Sequence, residues 1–282
     1  MEKTIFIINP NSAKGQYHKF IDQLKSLVQN PAIYISQSKE DCHNFLETKI
    51  KDYDIIVAVG GDGTISSIAE KLLFSNKILA VFPMGSGNGF ARENNFSNNI
   101  KELINKIQSK KSKSIDSIKI GEYVSINVSG VGLDSEVANR FEKTSRGLLN
   151  YIKVTFSTFF KFKGIKVTFD DQLKINNGDY FMLNIANTKQ FGNNAYIAPK
   201  AIIDDGKADI VLVKKTPVYL APKFLYQLFN KKLRTNPYLK FTQVKECEIT
   251  TNSELWHIDG DTTIIQSPVT IKVLPESLNI LI

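Results

Sequence analysis

The chain is poor in the residues that hold metal ions or cross-link loops. It has only two cysteines, Cys42 and Cys247, which lie far apart, and three histidines with no ligand spacing. This excludes a disulfide framework and a regularly spaced zinc site, and it favours a reducing cytosol. The apolar run at residues 5–8 ends at Asn9-Pro10, so it is too short for a signal peptide or a membrane span. If the protein acts at membranes, we expect it to reach them from the cytosol.

Acidic residues are outnumbered by basic ones. There are 36 lysines and arginines against 28 aspartates and glutamates, which gives a formal net charge of +8 and a pI of about 9.2. Such a charge favours anionic partners, namely nucleotides, nucleic acid or an anionic membrane surface, although a lysine-rich proteome produces the same balance. With 282 residues, of which 42% are hydrophobic, the chain suits one large domain or two medium ones.

Two common phosphate-binding signatures are missing. The Walker A spacing Gly-x-x-x-x-Gly-Lys-Ser/Thr does not occur, and Gly85, Gly87 and Gly89 are two residues apart, which breaks the dinucleotide pattern Gly-x-Gly-x-x-Gly. The catalytic-loop signature of protein kinases is also absent. These absences exclude P-loop enzymes, typical dinucleotide-binding domains and protein kinases.

The most informative segment that is present covers residues 54–64, Asp-Ile-Ile-Val-Ala-Val-Gly-Gly-Asp-Gly-Thr. A β-branched apolar run stops at a glycine turn, and apolar residues at helical spacing follow from Thr64. A strand, a tight turn and a helix N-terminus bring backbone N–H groups together where a phosphate can bind. Gly60, Gly61 and Gly63 allow the backbone to approach a ligand closely. Asp62 can hold a magnesium ion, a water or a hydroxyl beside that phosphate.

Strand and helix signals alternate in the first part of the chain and predict a doubly wound parallel sheet with helices on both faces. The predicted strands are 4–8, 32–35, 54–59 and 78–82, and the predicted helices include 17–28 and 42–50. After residue 117 short strands dominate, which predicts a β-sandwich-like or curved antiparallel domain with helical interruptions near 133–162 and 217–229. We therefore expect domains at 1–116 and 117–282.

Two further polar turns follow predicted strands. Residues 83–89 offer the Ser86 hydroxyl, with Arg92 close behind, and residues 9–15 offer Asn11, Ser12 and Lys14. All three turns would meet beyond the carboxyl ends of a parallel sheet, where ligands bind. An ordinary strand–helix turn or a helix N-cap explains each of them equally well when taken alone.

Taken together, these residues carry a family resemblance. Asn9-Pro10 with Gly15, Gly-Gly-Asp-Gly-Thr at 60–64 and Pro-x-Gly-Ser-Gly-Asn at 83–88 resemble the diacylglycerol kinase catalytic family, which includes bacterial soluble lipid kinases and sphingosine and ceramide kinases. The resemblance continues through 127–136, 198–206 and 258–261, and so covers nearly the whole chain. Asn88-Gly89 departs from the Asn-Asp of many bacterial members and is closer to the sphingosine and ceramide branch.

The resemblance implies a nucleotide-binding first domain, a β-rich lipid-binding second domain, and ATP in the cleft between them. The residues that it assigns to the nucleotide are Asn9, Pro10, Asn11, Ser12, Ala13, Ser36, Gly60, Gly61, Asp62, Gly63, Thr64, Ile65, Ser66, Ser67, Gly85, Ser86 and Asn88. It also implies a divalent ion, Mg²⁺, held by the Asp205 side chain and by backbone oxygens of Ile202 and Lys207. A plain turn between strands is the alternative for that segment.

The resemblance also suggests the catalytic groups. Asp259-Gly260 is a strong hairpin signal in its own right. The next residue is Asp261, at a position where the family often has a glutamate that acts as general base on the lipid hydroxyl. Asp62 is the rival base, as in sphingosine-kinase-like members. We favour Asp261 as the base and Asp62 as the organiser of Mg-ATP, because proton abstraction needs only a carboxylate at hydrogen-bond distance.

The implied activity is that of an ATP-dependent lipid kinase, which transfers the γ-phosphoryl group to diacylglycerol or a related lipid alcohol. We expect a cytoplasmic protein that associates peripherally with membranes, without a nucleic-acid partner; whether it forms a homodimer stays open. The alternatives are an NAD kinase, which shares Gly-Gly-Asp-Gly-Thr but has an Asn-Glu pair in the second motif, a sphingoid-base kinase, and a non-catalytic lipid- or nucleotide-binding protein. The basic-aromatic segments 153–163 and 231–234 suit anionic headgroups, single-stranded nucleic acid, or buried rings beside solvated lysines.

Overall fold

The chain forms two compact units. The computed structural model describes residues 3–142, 148–170 and 177–282. The first unit comprises Met1–Asp116 together with Pro275–Ile282, and the second comprises Ser117–Leu274. The C-terminal eight residues thus return to the first unit.

The first unit is built on a parallel sheet with the order β2-β1-β3-β4. Residues 279–280 of the last strand, β16, add a further parallel pairing to β4. The strands are β1 (Thr4–Ile8), β2 (Ala32–Ile35), β3 (Ile55–Gly60), β4 (Ile78–Pro83) and β16 (Val269–Leu281), and the helices are α1 (Tyr17–Leu27), α2 (Lys39–Lys49), α3 (Asp62–Leu72), α4 (Gly89–Glu93) and α5 (Ile100–Ser109).

The pattern of burial explains this arrangement. All residues of β1 and β3 are buried, without the alternation of a strand that has one solvated face, because helices cover both faces of a parallel sheet. In α5 the buried residues Ile100, Leu103, Ile104 and Ile107 follow helical spacing, and Asn99 caps the helix by accepting from the Lys101 N–H. Strand order reverses between β1 and β3, so the crevice that binds ligands in such sheets is expected at their carboxyl ends.

The second unit has an antiparallel sheet with the order β12-β11-β10-β7-β14-β15, and a further set in which β13 pairs with β8 and β16, β8 with β9, and β5 with β6 and β16. The strands are β5 (Ser112–Ile120), β6 (Tyr123–Ser125), β7 (Val128–Gly132), β8 (Ile165–Phe169), β9 (Gly178–Tyr180), β10 (Met182–Ala186), β11 (Ala208–Val213), β12 (Leu239–Val244), β13 (Glu246–Thr251), β14 (Leu255–Ile258) and β15 (Asp261–Ile264). The helices are α6 (Leu133–Glu142), α7 (Leu148–Lys161) and α8 (Ala221–Phe229).

One apolar core joins the two strand sets of this unit. Leu183 and the fully buried Trp256 come from the first set, and Val167, Ile249 and Ile271 come from the second. Two sets of strands that share one core form a sandwich. The predicted fold class, a parallel α/β unit followed by a β-sandwich-like unit, is therefore confirmed.

Local predictions differ from the structure at two places. The apolar residues within 123–128 predict one of the short strands that follow residue 117, but the structure has two strands there, β6 and β7. The backbone between them turns to bind the carboxylate of Asp259. The helix expected at 133–162 is divided into α6 and α7, and residues 143–147 lie outside the described residues. Within the described residues, no helix has the length and apolar character needed to cross a membrane.

The two cysteines are free and buried in separate places, Cys42 on α2 and Cys247 on β13. Burial raises the pKa of the Cys42 thiol to about 11 and that of Cys247 to about 12. Because the thiolate is the reactive form, neither thiol is poised for nucleophilic or redox chemistry.

Candidate active site

The glycine turn after β3 is in backbone contact with the turn after β4. A Cβ placed on Gly61 would lie 3.2 Å from the Cα of Gly85, and one on Gly85 would lie 2.7 Å from the Cα of Gly61. A Cβ on Gly60 would lie 2.6 Å from the Thr64 Oγ1. Only residues without a side chain allow the two turns to approach this closely. The Met84 N–H donates to the Gly60 carbonyl at 2.8 Å and fixes their register.

Asp62 ties these turns together. It opens α3, and its Oδ2 accepts from the Asn88 N–H at 2.8 Å. Asn88 adopts a left-handed conformation (φ 52°) and closes its own turn: its Oδ1 accepts from the Gly85 N–H at 2.9 Å and its Nδ2 donates to the Gly85 carbonyl at 2.8 Å. Gly61 stands at the N-cap of α3 without a capping side chain. The first turn of α3 therefore retains N–H groups suited to an anion, with a carboxylate beside them.

The turn after β1 reaches the same place through Asn9. The Asn9 N–H donates to the Val59 carbonyl at 3.1 Å, and its Nδ2 donates to the Thr64 Oγ1 at 2.9 Å. Its Oδ1 accepts from the Asn11 N–H at 3.0 Å, which closes an Asx turn ahead of a 3₁₀ helix at Ser12–Gly15. The three polar turns thus meet at the carboxyl ends of β1, β3 and β4.

The residues predicted to contact the nucleotide differ in what they can offer a ligand. Ser86 and Asn11 are exposed, whereas the Ile65 side chain is fully buried in the core. Ser36 and Ser12 are also buried, and Ser36 donates through both N–H and hydroxyl to the Ile8 carbonyl. Pro10, in the turn after β1, is half-buried, and so are Gly63 and Ser66 on α3.

Ser67 lies under the site rather than on its surface. Its hydroxyl and its carbonyl oxygen lie 2.8 Å and 3.2 Å from the Nε2 of His43 on α2. Burial, followed by the nearby Lys71 charge, lowers the pKa of His43, so the imidazole is neutral over a wider pH range. This contact fastens α3 to α2 and holds the half-buried N-terminal turn of α3 in a fixed position.

In the second unit, Asp259 and Asp261 have different surroundings. Asp259 and Gly260 both have positive φ (51° and 102°) and form the predicted hairpin turn, with Ile258 opposite Asp261. The buried Asp259 carboxylate accepts from the Ser125 hydroxyl at 2.6 Å and from the Ile126 and Asn127 N–H groups at 3.0 Å. Asp259 therefore braces the fold, and the exposed Asp261 at the start of β15 is the carboxylate that a substrate can reach.

The segment predicted to hold Mg²⁺ is a turn before β11. Asp205 is half-buried, its Oδ1 accepts from the Lys207 N–H at 3.0 Å, and Ile202 is exposed. Among the described residues no three Asp, Glu, His or Cys side chains come together as a metal cluster. A donor set of one carboxylate and backbone oxygens is chemically suited to a hard cation.

A buried polar cluster on the antiparallel sheet was missed by the sequence analysis. On β7, Gly130 lies opposite Asn184 of β10 and His257 of β14. The Asp134 carboxylate, from the first turn of α6, crosses over Gly130, accepts from the Asn184 Nδ2 and lies 3.1 Å from the His257 Nε2. Cross-strand register brings these three residues together, and sequence spacing carries no signal for it.

Gly130 makes room for this cluster, which leads to a testable prediction. A Cβ there would lie 2.5 Å from the Leu183 carbonyl oxygen, 2.6 Å from the Asn184 Nδ2 and 2.8 Å from the Asp134 Oδ2. We expect Gly130→Ala to lower the free energy of unfolding by about 3 kcal/mol in urea titration, because backbone and buried polar groups must shift.

The matched control is Gly178→Ala, also in a strand, where a Cβ would meet only a ring carbon of Tyr180 at 3.8 Å. That variant is expected to unfold at or slightly above the urea midpoint of the wild type. Equal midpoints for Gly130→Ala and Gly178→Ala would contradict the steric argument.

Family models match both parts of the chain. The diacylglycerol kinase catalytic domain matches residues 3–120, and the YegS C-terminal NAD kinase beta sandwich-like domain matches residues 127–282. The chain belongs to the diacylglycerol kinase catalytic-domain family. It is accordingly a kinase of the lipid-kinase class.

Individual relatives agree with this membership. The chain is 25% identical to the diacylglycerol kinase of Bacillus subtilis (strain 168) over 227 residues, which cover 76% of this chain and 75% of the relative. It is similar to the crystal structure of a candidate diacylglycerol kinase from Bacillus anthracis str. Sterne, with a TM-score of 0.79 and 26% identity over 99% of this chain and 95% of that one. A second diacylglycerol kinase structure from the same strain has a TM-score of 0.74 at 21% identity and supports the fold alone.

Proposed function

We propose that this lipid kinase transfers the γ-phosphoryl group of ATP to the hydroxyl of diacylglycerol or a closely related lipid alcohol. The observation that carries the proposal is the contact of the two glycine turns, in which Gly61 and Gly85 meet backbone to backbone and Asp62 spans both turns. A surface with no Cβ atoms, next to a helix N-terminus, is suited to a phosphate chain.

The residues at this surface divide the work of phosphoryl transfer, which depends on positioning and on charge neutralisation. Backbone N–H groups of α3 hold the phosphates, and the exposed Ser86 hydroxyl donates to one of them. Bound Mg²⁺ supplies charge neutralisation between the phosphates. The Asn88 N–H fixes the Asp62 carboxylate beside the proposed phosphate site. The Asp62 carboxylate, which lies beside the first turn of α3, would orient the divalent ion or its water.

Proton removal from the lipid hydroxyl falls to Asp261. It is exposed, and the hairpin that carries it is braced by the buried Asp259. The aspartate side chain is one methylene shorter than the glutamate that the family often has at this position. The acceptor hydroxyl must therefore come closer to the backbone of β15. Asp205, with backbone oxygens of Ile202 and Lys207, is proposed as a second Mg²⁺ position that steadies the turn before β11.

The decisive experiment is transfer from γ-labelled ATP with Mg²⁺ to a panel of acceptors in detergent micelles. The panel contains diacylglycerol, a sphingoid base, ceramide and NAD. We expect labelled phosphatidic acid as the main product. Labelled NADP as the main product would establish the NAD kinase alternative, and a labelled sphingoid base would move the chain to that branch. Tight lipid binding with no ADP release would overturn the proposal in favour of a binding protein.

A further inference from the structure

Basic charge is concentrated in one segment of the second unit. Residues 210–245 contain no aspartate or glutamate, but they contain Lys214, Lys215, Lys223, Lys231, Lys232, Arg234, Lys240 and Lys245. These eight cations equal the formal net charge of the whole chain, +8, so the remaining residues are neutral in sum. A segment with only positive charge creates a local field that favours a polyanion or an anionic surface.

Half of these cations, Lys215, Lys231, Lys232 and Arg234, lie over aromatic rings. Across the described ranges, none of the eight forms an ion pair with a carboxylate. Instead the Lys231 Nζ lies 4.5 Å above the Tyr196 ring, the Lys232 Nζ 5.3 Å above Tyr226, and the Arg234 guanidinium 5.1 Å above Phe241. Ring contacts leave the ammonium groups charged and accessible.

The two acids that flank this segment do not neutralise it. Asp209 is buried in β11, and burial raises the pKa of its carboxyl, while the Gln243 amide, which donates to its Oδ2 at 3.3 Å, and the Arg234 charge act in the opposite direction. Glu246 pairs with Lys272 at 3.0 Å. Seven of the eight cations are exposed, so most of the positive charge of the segment faces solvent.

Helix α8 presents apolar side chains beside these cations. Its inner face is anchored: the buried Gln227 accepts from the Asn236 Nδ2 at 2.7 Å, and Phe224 and Leu228 pack on the core. Its outer face exposes Leu225, Tyr226 and Phe229, and Tyr219 just before the helix is 79% exposed. Tyr219, Leu225, Tyr226, Phe229, Lys231 and Lys232 are called here the α8 face.

We propose that the α8 face docks the enzyme on an anionic phospholipid bilayer. This inference rests on the proposed function in one respect, namely that the acceptor lipid resides in a membrane. Tyrosine and phenylalanine rings suit the headgroup boundary, and lysines beside them reach phosphate groups while their methylenes cover apolar surface. Exposed aliphatic and aromatic side chains favour a bilayer over nucleic acid, which would use the rings for stacking and has no place for Leu225.

The test is co-sedimentation of the full chain with phosphatidylcholine vesicles, with and without phosphatidylglycerol, at low and high salt. We expect binding only with phosphatidylglycerol and loss of binding at high salt. Each lysine near an anionic surface contributes about fivefold in partitioning, so Lys231→Glu/Lys232→Glu is expected to weaken binding about 25-fold or more. Leu225→Ser/Phe229→Ser is expected to weaken it about tenfold, because the apolar insertion is lost.

The controls are Lys51→Glu/Lys101→Glu, which makes the same charge change at exposed lysines of the first unit, and Phe74→Ser, which removes a 71% exposed ring there. Both should bind as the wild type does. Co-sedimentation measures binding alone, so the docking result is independent of whether the kinase reaction is found. If that reaction is found, all variants should phosphorylate micelle-dispersed lipid at the wild-type rate. The proposal would be overturned if the α8-face variants bound vesicles as the wild type does, or if the control variants lost vesicle binding to the same extent. It would also be overturned if the wild-type chain bound single-stranded nucleic acid and not vesicles.

Discussion

Asp62→Asn is expected to lower kcat about 10³-fold, a loss typical of a group that stabilises developing charge at a catalytic centre. The asparagine Oδ1 can still accept from the Asn88 N–H, so the contact between the two glycine turns survives. What disappears is the negative charge that would orient the divalent ion beside the phosphates. The measurement is labelled-phosphate transfer at saturating ATP, together with circular dichroism and a melting curve.

The variant Asp22→Asn, which changes an exposed acid on α1, serves as the control and should keep wild-type activity. Asp62→Gly would remove both charge and hydrogen bond, and it is expected to lower the melting temperature as well as the rate. If the kcat of Asp62→Asn stayed within threefold of the wild-type value, Asp62 would have no part in organising the phosphates. It would also be excluded as the general base.

Asp261→Asn is expected to lower kcat about 10²- to 10⁴-fold, the range for loss of a positioned general base. Asp261→Glu should keep most of the activity, because a carboxylate is retained and the family often has glutamate there. Both substitutions are at an exposed position, so the melting temperature should not change.

The neighbouring aspartate provides the contrast. Asp259→Asn leaves a neutral amide where the carboxylate binds the Ser125 hydroxyl and two backbone N–H groups, and it should lower stability by about 1–3 kcal/mol. We expect Asp261→Asn to lower the rate without lowering stability, and Asp259→Asn to lower stability more than the rate. This pair of results would identify Asp261 as the base and Asp259 as a structural residue. Full activity in Asp261→Asn would remove this residue from the mechanism.

The parallel sheet was predictable because its strands are short and fully apolar. The segments at 4–8, 54–59 and 78–82 end at turn residues, so composition and length suffice to locate β1, β3 and β4. The polar turns follow from the same logic, since parallel strands gather their carboxyl ends at one edge. By contrast β5 and β12 mix polar and apolar residues, and β5 pairs with the distant β16 as well as with the neighbouring β6.

The cluster around Gly130 could not have been predicted from the order of residues. Asp134, Asn184 and His257 come together because β10 and β14 flank β7 in register, and a shift of one residue would turn the side chains to the other face. The same holds for Ser67. The resemblance assigns it to the nucleotide, but its hydroxyl lies 2.8 Å from the His43 Nε2.

By itself the sequence determined an α/β unit followed by a β-rich unit, since local periodicity is read along the chain. Its ordered motifs carried the resemblance to the diacylglycerol kinase family. Only the tertiary structure decided which aspartate of Asp259 and Asp261 is buried, why Gly130 has no side chain, and which face of α8 meets solvent. Burial, cross-strand register and hydrogen-bond partners are relations between distant residues. They exist only after the chain has folded.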